Sequence, residues 1–102
     1  MVVGAKKVKQ RTAVQLPPLV QEEINGEVIE YYPLGEYVVI QPGVQGGMPT
    51  IKNTRITAGV LAGWVEQGQS PRQVAREYRL PLAAVEEALA LAARYDYDRR
   101  YA

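Results

Sequence analysis

At 102 residues the chain is short enough for one hydrophobic core, because chains divide into separate cores only above roughly 250 residues. It holds no cysteine and no histidine, which removes disulfides, thiolate nucleophiles, the usual general base at neutral pH and the commonest metal ligands. A formal net charge of +1 argues against binding to nucleic acid by bulk electrostatics, so the expectation is a small binding module with no catalytic residues, cofactor or metal.

Residues 1–18 carry Lys6, Lys7, Lys9 and Arg11 and end in Pro17-Pro18, which predicts a basic amino-terminal arm or an edge strand. No apolar run of signal-peptide length follows, and no window approaches about 18 apolar residues, so a soluble cytoplasmic protein without membrane contact is expected. A β-rich segment is predicted over 19–57. Within it, Leu19 to Ile24 and Glu27 to Tyr32 flank Asn25-Gly26, a dipeptide that takes the positive φ angles of a two-residue hairpin turn. Pro33-Leu34-Gly35 breaks the chain, and Glu36 to Gln41 reads as a third strand whose run Tyr37-Val38-Val39-Ile40 predicts burial on both faces. Gly46-Gly47-Met48-Pro49 is read as non-helical, a tight turn into a short extended piece at Thr50-Ile51, after which Lys52-Asn53 turns the chain into Thr54-Arg55-Ile56.

The segment 58–95 is predicted to be helical. Thr57 caps a helix over Ala58 to Gln67 with Val60, Leu61, Trp64 and Val65 on one apolar face, and Gly68 ends it. Ser70 and Pro71 form an N-cap and N1 pair for a second helix to Tyr78, with Val74, Ala75 and Tyr78 inward. A third helix starts near Pro81, runs toward Tyr95, and carries Leu82, Val85, Ala88, Leu89 and Ala92 on one side. Residues 96–102 are read as a carboxyl-terminal tail. The fold class expected is α+β: an amino-terminal hairpin or small antiparallel sheet followed by a three-helix bundle of helix-turn-helix type.

Short helices joined at Arg79-Leu80-Pro81 have helix-turn-helix proportions, with Ala75 at the crossing, Leu80 in the turn and Val85 as anchor; an ordinary trihelical bundle fits the same pattern. The first turns of the third helix offer Ala83, Ala84, Glu86 and Glu87 as exposed residues, whereas readers of the major groove present Arg, Lys, Asn or Gln. The two glutamates are expected to face phosphate. Arg72, Arg76 and Arg79 are the candidate DNA contacts, of the backbone kind that positions a protein without reading sequence.

Taken in order, Tyr37-Val38-Val39-Ile40, Pro42-Gly43, Gly46-Gly47-Met48-Pro49, Asn53-Thr54-Arg55-Ile56, Gly68-Gln69-Ser70-Pro71 and Val85 with Ala88-Leu89 resemble the family called domain of unknown function 433 over about residues 37–95. The resemblance implies a homeodomain-like helix-turn-helix module preceded by β structure, similar to VapB-type antitoxins found beside PIN-like ribonuclease toxins. The family pattern favours glycine where this chain has Asn53, which also tolerates a left-handed backbone, so the same turn is expected. The hairpin at 19–32 lies outside the resemblance.

Candidate partner-binding residues are Arg55, Tyr97, Arg99, Arg100 and Tyr101. Ile56 reads as core and Thr54 as a turn residue whose hydroxyl satisfies nearby backbone. Arg55 is expected either to tie the β segment to the helices through a carboxylate or carbonyl, the favoured alternative, or to project for recognition. Trp64 is expected in the core or at a dimer interface. The alternation of aromatic and charged residues from Arg94 to Tyr101 is rich in the types enriched at binding hot spots, although a solvated tail has the same composition. Two functions follow as expectations: an antitoxin-like homodimer that binds a PIN-like ribonuclease toxin and its own promoter DNA, or a DNA-binding transcriptional repressor without a toxin partner.

Overall fold

The computed structural model describes residues 16–101, so the basic residues of the arm lie outside the described residues. Strands β1 (Val20–Ile24), β2 (Glu27–Pro33), β3 (Val38–Ile40) and β4 (Thr50–Ile51) precede helices α1 (Ala58–Glu66), α2 (Pro71–Tyr78) and α3 (Leu82–Leu91). The strands form one antiparallel sheet in sequence order. An α+β fold results, with the sheet first and the helices after it.

Local chemistry explains most boundaries. Asn25 (φ 53°) and Gly26 (φ 85°) make the two-residue turn, and Ile24 pairs with Glu27 directly across it. Thr57 caps α1 by accepting from the Val60 amide at 3.2 Å, Gly68 leaves that helix at φ 112°, and Ser70 caps α2 by accepting from the Gln73 amide at 3.1 Å. Asn53 stands at φ 65°, the left-handed turn expected of it. The Gly46-Gly47 segment is the tight non-helical turn expected of it: Gln45, Gly46 and Gly47 stand at φ 50°, 65° and 85°, a left-handed sense that glycine tolerates, and the Met48 amide closes the turn on the Gln45 carbonyl at 3.2 Å.

The core lies between the short strands and the helices. Val38, Val39 and Ile40 are all buried, as a strand covered on both faces requires, and Val38 and Ile51 join Leu61, Val74, Ala75, Val85 and Ala88 in one apolar cluster. Ala84, expected on the exposed face of α3, is fully buried, while Val60, expected inside, is 41% exposed. Trp64 is not core either: it is 38% exposed, and its indole N–H donates to the Tyr78 hydroxyl at 2.9 Å.

Glu87 gives the largest departure from expectation. Its carboxylate accepts the backbone N–H groups of Glu36, Tyr37 and Val38 at 2.9, 2.7 and 2.8 Å, tying α3 to the entry of β3. It therefore does not face phosphate; of the two glutamates only Glu86 is exposed. Strand β3 begins at Val38, two residues after the expected Glu36. Gly35 makes the approach possible, because a Cβ there would lie 2.6 Å from the Glu87 carboxyl carbon.

The end of the chain is also part of the core. Helix α3 stops at Leu91, short of the expected Tyr95, and the amides of Arg94 and Tyr95 return to the Leu91 carbonyl at 2.9 and 3.0 Å. That bend directs Tyr95 (5% exposed) and Tyr97 (8% exposed) inward, Tyr97 donating its hydroxyl to the Ala88 carbonyl and lying against Gly59 of α1. A wholly solvated tail is thus corrected over the described residues 96–101: Tyr97, expected as a partner contact, lies inside, whereas Asp96, Asp98, Arg99 and Arg100 are exposed. On the sheet side, Tyr31 donates its hydroxyl to the Glu22 carboxylate, and Lys52 pairs with the same carboxylate at 3.3 Å while sitting 5.2 Å from the Tyr31 ring centroid. The Tyr31 hydroxyl, and then Lys52, hold the Glu22 carboxyl below its ordinary range.

Candidate partner-binding surface

One loop and the last described residues of the chain meet at the Gln45–Gly47 turn. In that loop the Thr54 hydroxyl donates to the Ile51 carbonyl at 2.7 Å and accepts from the Ile56 amide at 3.0 Å, while the Ile51 amide donates to the Ile56 carbonyl at 2.9 Å. These bonds close a tight loop with Arg55 at its exposed tip. Thr54 does what its type predicts in a turn. Ile56, half-buried, packs against the core.

Arg55 does not make the structural tie favoured for it. Its backbone carbonyl accepts from Gln45 Nε2 at 2.8 Å, but its side chain is exposed, and among the described residues the one ion pair is Lys52 with Glu22. The physical reason is that Thr54 and Gln45 already secure this loop through backbone groups, which frees the guanidinium. A shallow pocket of about 200 Å³ lies beside it, lined by Gln41, Val44, Asn53, Thr54 and Arg55.

The chain end closes the other side of the turn. Tyr101 donates its amide to the Gly47 carbonyl at 3.2 Å, its hydroxyl accepts from the Asp96 amide at 3.1 Å, and its ring packs edge-on against Tyr95 at 6.1 Å. The Arg100 side chain runs along Gly46, where a Cβ would stand 3.0 Å from Nε, and the Arg99 guanidinium lies 5.1 Å from the Tyr101 ring centroid. Of the five sequence-predicted partner residues, Arg55 and Arg100 therefore flank one turn, Arg99 and half-buried Tyr101 adjoin it, and Tyr97 is inside. Gln45 and Gly46, which join the two sides, were not singled out as functional from sequence; Gln45 holds φ 50°, and only the fold reveals what its amide reaches.

Arg72, Arg76 and Arg79 are all exposed, Arg72 and Arg76 one turn apart on α2 and Arg79 as its left-handed C-cap at φ 58°. They sit on the helices, away from the 45–47 turn in sequence and in element. Among the described residues, no group of three or more histidines, cysteines or carboxylates could hold a metal ion, and no helix is long and apolar enough to cross a membrane.

Tyr97 links this surface to stability. Burial first, and then the negative charge of Glu87, push its hydroxyl well above the ordinary tyrosine value of 10.0. Because the folded-state value is the higher one, the stability it contributes is complete below pH 10 and is lost as pH rises, by about 1.4 kcal/mol for each pH unit above 10. Urea midpoints measured from pH 8 to 11 should be level to about pH 9.5 and then fall, the fall becoming shallower in Tyr97→Phe; identical alkaline limbs in the two proteins contradict the assignment.

No curated protein and no solved structure matches the chain. A family model described as "Protein of unknown function (DUF433)" matches residues 38–92, more than half of the sequence and all of the region from β3 to the end of α3, and the chain belongs to that family.

Proposed function

We propose that the protein is an antitoxin-like regulator that binds a ribonuclease of PIN-like type through the cationic rim of the 45–47 turn. The observation that carries this reading is that Arg55, through its carbonyl to Gln45, and Arg100, through its side chain along Gly46, both adjoin that turn, with neither guanidinium in an ion pair among the described residues. A metal-dependent nuclease site is a cluster of carboxylates. Guanidinium groups fork onto such carboxylates with two parallel hydrogen bonds and compete with the metal, which lysine cannot match. Tyr101 positions Arg99 and Arg100 by fastening the chain end to Gly47. In this reading the chain is VapB-like in role, and exposed Val60 and Trp64 of α1 supply the apolar contact of a homodimer.

A second activity, contact with DNA by α2 and α3 acting as a helix-turn-helix, is supported by the exposure of Arg72, Arg76 and Arg79. The exposed positions Ala83, Glu86 and Ala90 of α3 present none of the Arg, Lys, Asn or Gln side chains that make the bidentate contacts to base edges, so contact with operator DNA in this reading is mainly of the phosphate type. Co-expression with the product of the neighbouring reading frame tests the main reading. A ribonuclease-like partner that co-purifies with the wild-type chain and is released by Arg55→Ala with Arg100→Ala supports it. DNA binding that survives both changes while no partner is retained favours the repressor instead; three phosphate contacts then give a salt slope of about −2.7.

A further inference from the structure

Among the described residues, the hairpin leaves one strand edge open. Of the seven residues of β2, Glu27 to Tyr31 pair with β1 on one edge, while only Tyr32 and Pro33 pair with β3 on the other. Strand β3 begins that pairing at Ile40, beyond which Gln41-Pro42 carries the chain away, so no described strand continues along the second edge of β2. A cleft of about 300 Å³ is found there, lined by Val28, Ile29, Glu30, Gln41 and Pro42.

Register decides which backbone groups point into this cleft. A two-residue turn makes Ile24 and Glu27 a hydrogen-bonded pair, and alternation along the ladder then turns the N–H and C=O groups of Glu27, Ile29 and Tyr31 toward β1. Those of Val28 and Glu30 point the opposite way, as those of Tyr32 do toward its β3 partner Ile40. Val28 and Glu30 therefore hold two donors and two acceptors at strand spacing toward the cleft, the template to which an extended chain adds. Val28 is also 67% exposed, the most exposed of the large apolar residues described.

Charge narrows the occupant. Residues 19–36 contain Glu22, Glu23, Glu27, Glu30 and Glu36 and no lysine or arginine. Glu23 lies opposite Val28, and Gln21 lies opposite Glu30, so one face of the hairpin presents two carboxylates around an exposed valine. The other face at this position carries Ile29. A second copy of the same hairpin would set glutamate against glutamate.

We propose that this edge of β2 receives an extended segment of a partner protein in which lysine or arginine alternates with aliphatic residues, added to the sheet as a further strand. The basic side chains lie on the face of Glu23 and Glu30, and the aliphatic ones lie beside Ile29 and Pro42. This surface is separate from the arginine rim, and the inference does not rest on the ribonuclease reading.

The test is titration of the full chain with a blocked nonapeptide of alternating lysine and valine, using a glutamate and valine peptide of the same length as the comparison. The lysine peptide should bind at least tenfold more tightly. Val28→Pro, which removes a cleft-facing N–H and no bond to β1, should abolish that binding, and Glu23→Lys with Glu30→Lys should weaken it about tenfold. Circular dichroism reports folding of each variant; if Val28→Pro does not fold, the charge-reversed pair, both exposed, decides alone. Equal binding of the two peptides, no binding of either, or undiminished binding by the folded variants overturns the proposal. A tenfold gain in peptide binding on replacing Lys6, Lys7, Lys9 and Arg11 with alanine also overturns it, because the occupant is then a segment of this chain.

Discussion

Replacing Glu87 by glutamine is expected to destabilise the protein by about 3 kcal/mol. Three backbone N–H groups converge on this carboxylate, and hydrogen bonds to a charged acceptor contribute about 1.5–3 kcal/mol each before the partly exposed setting is discounted. Glutamine keeps one acceptor oxygen but turns an NH2 toward an N–H. A domain of this size has about 5–15 kcal/mol in all, so thermal melting should move down by roughly 15 °C. Gly35→Ala should cost about 2 kcal/mol by pushing the same carboxylate away, since Gly35 is not among the positive-φ glycines and alanine is otherwise tolerated there. The two sites must then couple. In a Glu87→Ala background, Gly35→Ala should be nearly neutral; additive losses in the double-mutant cycle would mean that the glycine serves some other purpose.

Removing the chain after Tyr95 is the second change with a large expected effect. It deletes Tyr97, which is buried against Gly59 and bonded to the Ala88 carbonyl, and it unfastens Tyr101 from Gly47. Loss of a buried aromatic side chain alone costs about 3–5 kcal/mol, so Tyr97→Ala should approach the limit of stability and the truncation should pass it. Tyr97→Phe should lose about 1 kcal/mol, the contribution of one hydrogen bond. Urea denaturation of the three variants ranks them; a truncated protein as stable as the full chain would return residues 96–101 to solvent. The practical consequence is that the role of Arg99 and Arg100 has to be tested by side-chain substitution, because truncation removes the fold along with the arginines.

Local signals are legible in the sequence. Asn25-Gly26, Thr57, Ser70-Pro71 and Gly68 each act on backbone within a few residues, so their chemistry is visible before the fold is known. The run Val38-Val39-Ile40 announced burial on both faces for the same reason. What stayed hidden was set by contacts between distant residues. Nothing around Glu87 indicates that it meets backbone about 50 positions earlier, and its place on α3 made it look like a surface carboxylate. Tyr97 follows a helix whose apolar positions already form a full face, yet the bend after Leu91 turns two tyrosines inward. Arg55 was legible as the residue needing a reason, and its exposure removes the buried tie as that reason. That Arg55 and Arg100 both adjoin the Gln45-Gly46 turn depends on the whole fold, so only the separate arginines are legible in the sequence.

The claim that the arginine rim neutralises a ribonuclease is tested most directly by RNA cleavage. The purified partner from the neighbouring reading frame is titrated with the wild-type chain, with Arg55→Ala, Arg99→Ala and Arg100→Ala combined, and with Arg72→Ala, Arg76→Ala and Arg79→Ala combined. All six side chains are exposed, so both triple variants should keep the wild-type circular dichroism spectrum. Inhibition by the first variant should weaken by about 100-fold, corresponding to about 1.4 kcal/mol for each of two lost charge-assisted contacts, while the second should inhibit like wild type. Full inhibition by a folded Arg55, Arg99 and Arg100 variant would contradict the proposal.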